Sequence, residues 1–195
     1  MAMRLLGWSD LESRSVPVSD ARKLLASFDP LDAEVRANRD KALEFLLRDS
    51  EPYSRSNTTG HMTASSLVVE PDSKKSLLVF HPYFKRWQQT GGHAEGDHDL
   101  VRVALKEAIE ETGLQELRII PKVIDVGVGR GEGDIDHVHY DVRFLVISPS
   151  EPEKVTSPEG LQLRWFALNH DGEELDAARK RMLGIAQEVL AQVSP

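Results

Sequence analysis

Three glutamates, Glu107, Glu110 and Glu111, sit at i, i+3 and i+4 in a segment that reads as helix, between Gly91-Gly92 upstream and Gly113 downstream. At 100° per residue they occupy an arc of roughly 100°. Val101, Ala104, Leu105, Ala108 and Thr112 form the neighbouring, mostly apolar stripe. Such a helix buries one side and presents carboxylates on the other. Like charges at these spacings cost roughly 0.2–0.5 kcal/mol per pair unless a cation neutralises them. Oxygen donors in this number suit Mg²⁺ or Mn²⁺, with positions left for water and phosphate oxygens. An acidic helical face is most often only a solvated surface. The full spacing argues otherwise: with Gly and Glu each near ~7% of residues, five such fixed positions align by chance in roughly one chain of this length per few thousand.

The segment from Gly92 to Leu114 resembles the Nudix box: a glycine, a glutamate, then Arg-Glu-x-x-Glu-Glu-x-Gly with an apolar end. The resemblance implies a metal-dependent hydrolase that cleaves a nucleoside diphosphate linked to another moiety. It also implies that Glu107, Glu110 and Glu111 ligate the metal, Mg²⁺ or Mn²⁺, with Glu95 at the matching loop position as an extra ligand or a supporting group. Three positions depart from the pattern. His98 stands where the first box glutamate is expected, Lys106 replaces the arginine, and Ala108 replaces a larger aliphatic residue. Lysine keeps the charge but loses the planar fork that orients a carboxylate bidentately. These departures bear on rate and metal affinity, and they motivate a second reading, a catalytically weak nucleotide-binding sensor or scaffold.

The 195 residues, 40% of them apolar, are enough for one full core with an extension. There are no cysteines, which excludes disulfides, thiolate metal sites and a cysteine nucleophile. Within the resembled family, that argues against isopentenyl-diphosphate isomerase chemistry. A net charge of −8 argues against broad nucleic-acid or anionic-membrane binding, and so against RNA decapping. The apolar patch Leu5-Leu6-Gly7-Trp8 is too short for a signal peptide, and no run approaches a membrane span. A cytoplasmic protein acting on a small nucleotide is expected, with a homodimer one use for the extension.

The periodicity predicts helices over Asp20 to Phe28, capped by Ser19, and over Ala33 to Arg48, capped by Asp32. These form an N-terminal helical extension, residues 1–58, serving packing, dimerisation or substrate gating. A Nudix hydrolase domain, 59–195, follows. Strands are expected over Met62 to Glu70, Ser76 to His81, Leu117 to Val128, His137 to Ile147 and Leu161 to Leu168, with Pro121 marking an edge or bulge. Asp99 and Gly113 fit the two ends of the box helix, and an amphipathic helix is expected from Glu173 to Gln192. This order suits an α+β fold, an α/β/α sandwich around a mixed sheet, as the resemblance also implies.

Gly91 and Gly92 let the backbone approach phosphate because no Cβ intervenes. The general base is Glu159, in the Ser-Pro-Glu-Gly loop, or a box glutamate, most plausibly Glu110. His137, His139 and Asp141 share one strand face, which suits contact with phosphate, sugar or metal-bound water, or a hydrogen-bonded patch. Tyr83, Phe84 and Trp87 lie in the loop before Gly91, where an aromatic stacks on a base or enters the core. Lys85, Arg86 and Arg130 are phosphate contacts or solvated surface, with Arg130 in a mobile loop from Gly127 to Gly133.

Overall fold

The computed structural model describes residues 4–130, 137–149 and 155–193. Its centre is β1 (Gly60–Glu70), buried along its whole length. One edge of β1 runs parallel to β6 (Val138–Ile147), with His61 opposite His139 and Val69 opposite Ile147. The other edge is shared. Its first half pairs antiparallel with β4 (Thr90–His93), and its last residues pair with β2 (Lys75–His81). β2 also pairs with β3 (Arg86–Gln88) and β7 (Gln162–Ala167), while β5 (Arg118–Arg130) pairs antiparallel with β6. The result is a mixed sheet, as expected, with seven strands among the described residues, β3 and β4 being additional to the five predicted. The β5–β6 register shifts between Ile120 and Asp125, around Pro121. A residue with no N–H and a fixed φ breaks a ladder there.

Period-two alternation assigns the two faces of the sheet. Met62, Ala64 and Val68 of β1, with Val142, Phe144 and Val146 of β6, face the box helix α4 (Leu100–Thr112) and its Leu100, Val101, Ala104, Leu105 and Ala108. Leu67, Val69 and Leu145 face Met182, Leu183 and Ala186 of α5 (Ala177–Val193). Helices on both faces confirm the α/β/α sandwich. α5 covers only the end of its face that carries Leu67 and Val69. The other end, with His61, Thr63 and Ser65, is polar and lies outside that apolar cluster.

The N-terminal segment joins the α4-side core. It carries α1 (Trp8–Leu11), α2 (Asp20–Ser27) and α3 (Ala33–Arg48), which contribute Leu11, Ala21, Leu25, Val35, Ala42 and Leu46. Leu6 bridges to Ile119, Phe45 stacks on Tyr140 at 4.2 Å, and Asn38 donates to the Val126 carbonyl at 3.2 Å. Asp32 caps α3, its Oδ1 accepting from Glu34 N and Val35 N. Ser19 does not cap α2: its backbone is already helical, and a capping side chain needs an extended residue.

Other expectations also shift. The helix predicted from Glu173 begins at Ala177, because Asp176 accepts from Arg179 N at 3.0 Å and acts as the cap. Trp87 and the residues around Gly91 and Gly92 lie in β3 and β4, not in one loop. Gly127 to Arg130 continue β5 as strand, while Gly131, Glu132 and Gly133 lie outside the described residues. Among the described residues, no helix is long and apolar enough to cross a membrane.

Asp99 ties these parts together. It is fully buried, caps α4 by accepting from Arg102 N at 3.2 Å, and takes a two-pronged ion pair from Arg14. Losing the cap costs about 1 kcal/mol. Arg14, 31% exposed, returns partly to water when its partner is removed, so the lost pair adds only about 1–2 kcal/mol. Asp99→Ala is therefore expected to cost about 2–3 kcal/mol and lower Tm by roughly 4–12 °C, read in a calorimetric melt. A Tm within a degree or two of the parent's would show that the Arg14–Asp99 tie contributes little.

Candidate active site

α4 begins at Asp99 and ends where Gly113 adopts the left-handed conformation, φ 68°, its N–H bonded to the Ile109 carbonyl. Between these ends its apolar stripe is fixed against the sheet, so the acidic arc has one orientation. Glu107 is the most constrained of the three. Its side chain is 18% exposed, and a Cβ built on Gly92 would stand 2.5 Å from its carboxylate carbon. Burial raises its pKa. Lys106 opposes the shift, and the fields of Glu110, Glu159 and Glu95 add to it. Three other carboxylates thus bear on Glu107, a strain that a divalent cation beside it would relieve. The donor set is all oxygen, which fits Mg²⁺ or Mn²⁺.

Glu110 points further into solvent, where Lys106 Nζ meets it at 2.9 Å and Glu107 at 3.8 Å. Glu95 follows β4 with φ 50° and is paired with Arg55 at 3.2 Å. A non-glycine residue in that backbone region costs about 1 kcal/mol or more and is often found at functional sites. Glu159 is exposed in the turn before β7, its N–H bonded to Ser157 Oγ at 3.2 Å, and close enough to influence Glu107. His98 places its ring 4.8 Å from Tyr53 and brings no carboxylate to the group.

Glu111 lines a cleft of about 410 Å³ in the uncovered polar half of the α5 face. This is the size range of small-molecule sites. Gly91, Gly92, Arg86, Phe84, Arg130 and His139 also line it. Arg86 stacks over Phe84 at 5.0 Å and faces Asp176 at 3.6 Å. Tyr83 is exposed. Trp87 does not belong to the cleft. Strand alternation turns it to the opposite side from Arg86 and Gln88, edge-on to Phe80 and Phe166 at 5.4 and 5.3 Å. Gly91 has a packing role as well: a Cβ there would come within 2.8 Å of the Ser65 backbone.

The cleft floor was only partly legible from the sequence. Asp141 accepts from Thr63 Oγ1 and Ser65 Oγ at 3.1 and 2.8 Å and from Arg143 Nε at 2.7 Å. Arg143 reaches on to Asp125 at 2.9 Å, which also accepts from Arg181 at 2.8 Å. Arg179, 4% exposed, adds a further cationic group beside Gln88 at 3.1 Å. The alternation His61-x-Thr63-x-Ser65 is the signal that would have found the polar face of β1, but nothing local announces Arg179 beneath it. His137 and His139 do share a face, and β1 and β4 bring His61 and His93 against them. Burial lowers the pKa of His93 to about 4 and of His139 to about 3, with neighbouring cationic and histidine groups adding to it.

A NUDIX domain family model matches residues 60–184. A probable DHNTP pyrophosphohydrolase from Lactococcus lactis subsp. cremoris (strain MG1363) is 27% identical over 117 residues, covering 56% of this chain and 69% of that protein. Among solved structures, an Ap4A hydrolase binary complex from C. elegans aligns with TM-score 0.56 and 18% identity, over 67% of this chain and 98% of the other. A NUDIX-family hydrolase from Clostridium perfringens aligns with TM-score 0.51 and 21% identity, over 69% and 98%. At those identities the structural likeness establishes the fold.

The two glycines separate packing from metal binding. Gly92→Ala meets only the movable end of Glu107, so Tm is expected to change little while calorimetric Mn²⁺ affinity drops by about 10–100-fold. Gly91→Ala meets strand backbone and is expected to destabilise by about 1–3 kcal/mol. Equal metal affinity in Gly92→Ala and the parent would remove Glu107 from the ligand set.

Proposed function

This chain belongs to the NUDIX family of hydrolases, and from that premise we propose that it hydrolyses a phosphoanhydride in a nucleoside diphosphate derivative, releasing a nucleoside monophosphate. A nucleotide sugar or an ADP-ribose-like compound is the first choice of substrate, and an NTP the second. The observation that carries this reading is the half-buried carboxylate of Glu107, held against Gly92 within the fields of Glu95, Glu110 and Glu159, beside a cleft lined by Glu111 and arginines.

Glu107, Glu110 and Glu111 would hold the Mg²⁺ or Mn²⁺, with Glu95 supporting them. When bound, the ion neutralises non-bridging phosphate oxygens and lowers the pKa of water. The rest falls to the chain's own groups. Arg86 and the backbone at Gly91 and Gly92 orient the diphosphate. Glu159 accepts a proton from the attacking water as its oxygen forms the new P–O bond and the bridging P–O bond breaks. Glu159 is preferred to Glu110 for this step because Lys106 already engages Glu110 at 2.9 Å. In the same reading, residues 1–58 are an extension that fixes α4 through Arg14 for a catalytic unit at 59–195.

Incubating the protein and Mn²⁺ with ADP-ribose, nucleotide sugars, dinucleoside polyphosphates, NTPs and dihydroneopterin triphosphate tests the proposal. Dinucleoside polyphosphates and dihydroneopterin triphosphate are the two to which the names of similar proteins point. At least one nucleotide class should yield a nucleoside monophosphate. Glu111→Gln and Glu159→Gln should each lower kcat by about 10²–10⁴-fold with the fold intact. Unchanged turnover in Glu111→Gln sinks the assignment of that residue. Nucleotide-dependent thermal stabilisation without product under either metal favours the sensor, a reading supported by the Lys106–Glu110 pair and by His98 standing in place of a carboxylate.

A further inference from the structure

At one end of the polar sheet face, four histidines converge, three on neighbouring strands and His137 just before one of them. His61 on β1 is the register partner of His139 on β6. His93 lies on β4 beside β1, opposite Thr63, and His137 precedes His139 by two residues on the same face. The sheet, and not a flexible loop, therefore sets the positions of at least three of the rings. His139 Nε2 lies 2.9 Å from His137 Nε2 and 3.3 Å from His93 Nε2. One ligand-type atom from each of the four residues lies within 4.8 Å of every other.

The 2.9 and 3.3 Å separations are those of ligands around one ion. Zinc–nitrogen bonds of about 2.0–2.1 Å at tetrahedral angles place nitrogens about 3.3 Å apart, and right-angle geometry places them about 2.9 Å apart. Hydrogen bonding alone does not account for the group. His61 is 2% exposed, its Nδ1 faces the Asn57 carbonyl at 3.5 Å, and its ring centre lies 4.9 Å from those of His93, His137 and His139. Its Nε2 is buried and makes no hydrogen bond among the described residues. A stranded buried polar atom carries a real cost, and such an atom points to an absent partner. An Nδ1–H aimed at a backbone carbonyl is also the usual outer support of a metal-ligating imidazole.

Competing uses of the cluster fit less well. An anion site would need several protonated rings, and cationic rings with centroids only 4.8–4.9 Å apart would repel one another. A hard cation such as Mg²⁺ prefers oxygen donors, and the four ligand atoms are imidazole nitrogens.

We propose that His61, His93, His137 and His139 bind one divalent transition-metal ion, Zn²⁺ in the first instance, at a site distinct from the carboxylates on α4. The nearly closed imidazole set assigns it a structural character: it clamps β6, β1 and β4 together at the rim of the cleft. It is independent of the hydrolytic reading, because no residue is shared between the two donor sets.

Calorimetric titration of the metal-stripped full chain with ZnCl₂ tests the site. The expected result is saturable binding of one zinc at Kd tighter than about 10 µM. His61→Gln and His137→Ala should each weaken that binding by at least about 10–100-fold. His137 is the more exposed of the two, so His137→Ala keeps the test valid if His61→Gln fails to fold. Glu111→Gln should leave zinc affinity unchanged, and the zinc-induced rise in Tm should persist in that variant and disappear in His137→Ala. Co²⁺ in place of Zn²⁺ should give the intense visible absorption of a tetrahedral site, absent from the histidine variants. Zinc affinity that is equal in parent and histidine variants overturns the proposal. So does zinc binding lost with Glu111→Gln but kept in His137→Ala, or the absence of saturable binding in this range.

Discussion

A strand buried from end to end cannot carry polar side chains without interior partners, and β1 is such a strand. Its even-numbered positions from Met62 to Val68 meet the box helix. Its odd-numbered positions change character along the strand, from Leu67 and Val69 under α5 to His61, Thr63 and Ser65 beyond its reach. Thr63 and Ser65 are satisfied by Asp141, Asp141 is neutralised by Arg143, Arg143 by Asp125, and Asp125 in turn by Arg181 from α5. The cleft follows from this chain of compensation.

The box helix answers a different demand. It must present carboxylates while crowding them near a low-dielectric wall, and that crowding raises the pKa of Glu107 by burial before any neighbouring charge is counted. The helix tolerates this because its position is fixed elsewhere. Asp99 anchors its start to Arg14, Gly113 closes its end, and Ala104 and Ala108 let its backbone lie close to the sheet. The rigidity is supplied by residues that never meet the substrate.

Patterns set by local physics were readable in the chain. The box helix, its Asp99 and Gly113 ends, the Asp32 cap and the five longer strands depend on period and on short-range hydrogen bonds, and they stand within one or two residues of expectation. What escaped reading depends on partners remote in sequence. Thr90 to His93 is a strand because Gly91 can lie against Ser65, a contact that no property of Gly-Gly by itself reveals. Of the three aromatics before Gly91, Trp87 takes the core rather than a base, because a three-residue strand pairs it with Phe80 across β2. The α5 start moved from Glu173 to Ala177 because two glutamates and an aspartate are near-equal candidates for a first turn, and Asp176 gained the cap. Of the candidate site, the helical carboxylates were visible as a spacing. Arg143 and Arg179 were not, since an arginine's burial is decided by who neutralises it.

The three positions that depart from the box pattern have local physical accounts, and two of them lead back to the N-terminal segment or the sheet. Ala108 is fully buried, so a larger side chain would push α4 off the sheet and carry Glu107 away from Gly92. His98 packs on Tyr53, whose hydroxyl, its pKa pushed up to about 12 by burial, donates to the Val18 carbonyl at 2.8 Å. A carboxylate at position 98 would lie against that ring and lose solvation, whereas a histidine ring gains a stacking partner. Lys106 acts as a point charge between Glu107 and Glu110, where a planar fork would favour one carboxylate over the other. A box helix whose neighbouring surface is covered by an extension meets constraints that a bare one does not. These substitutions fit a box adapted to its covering and do not require a decayed one.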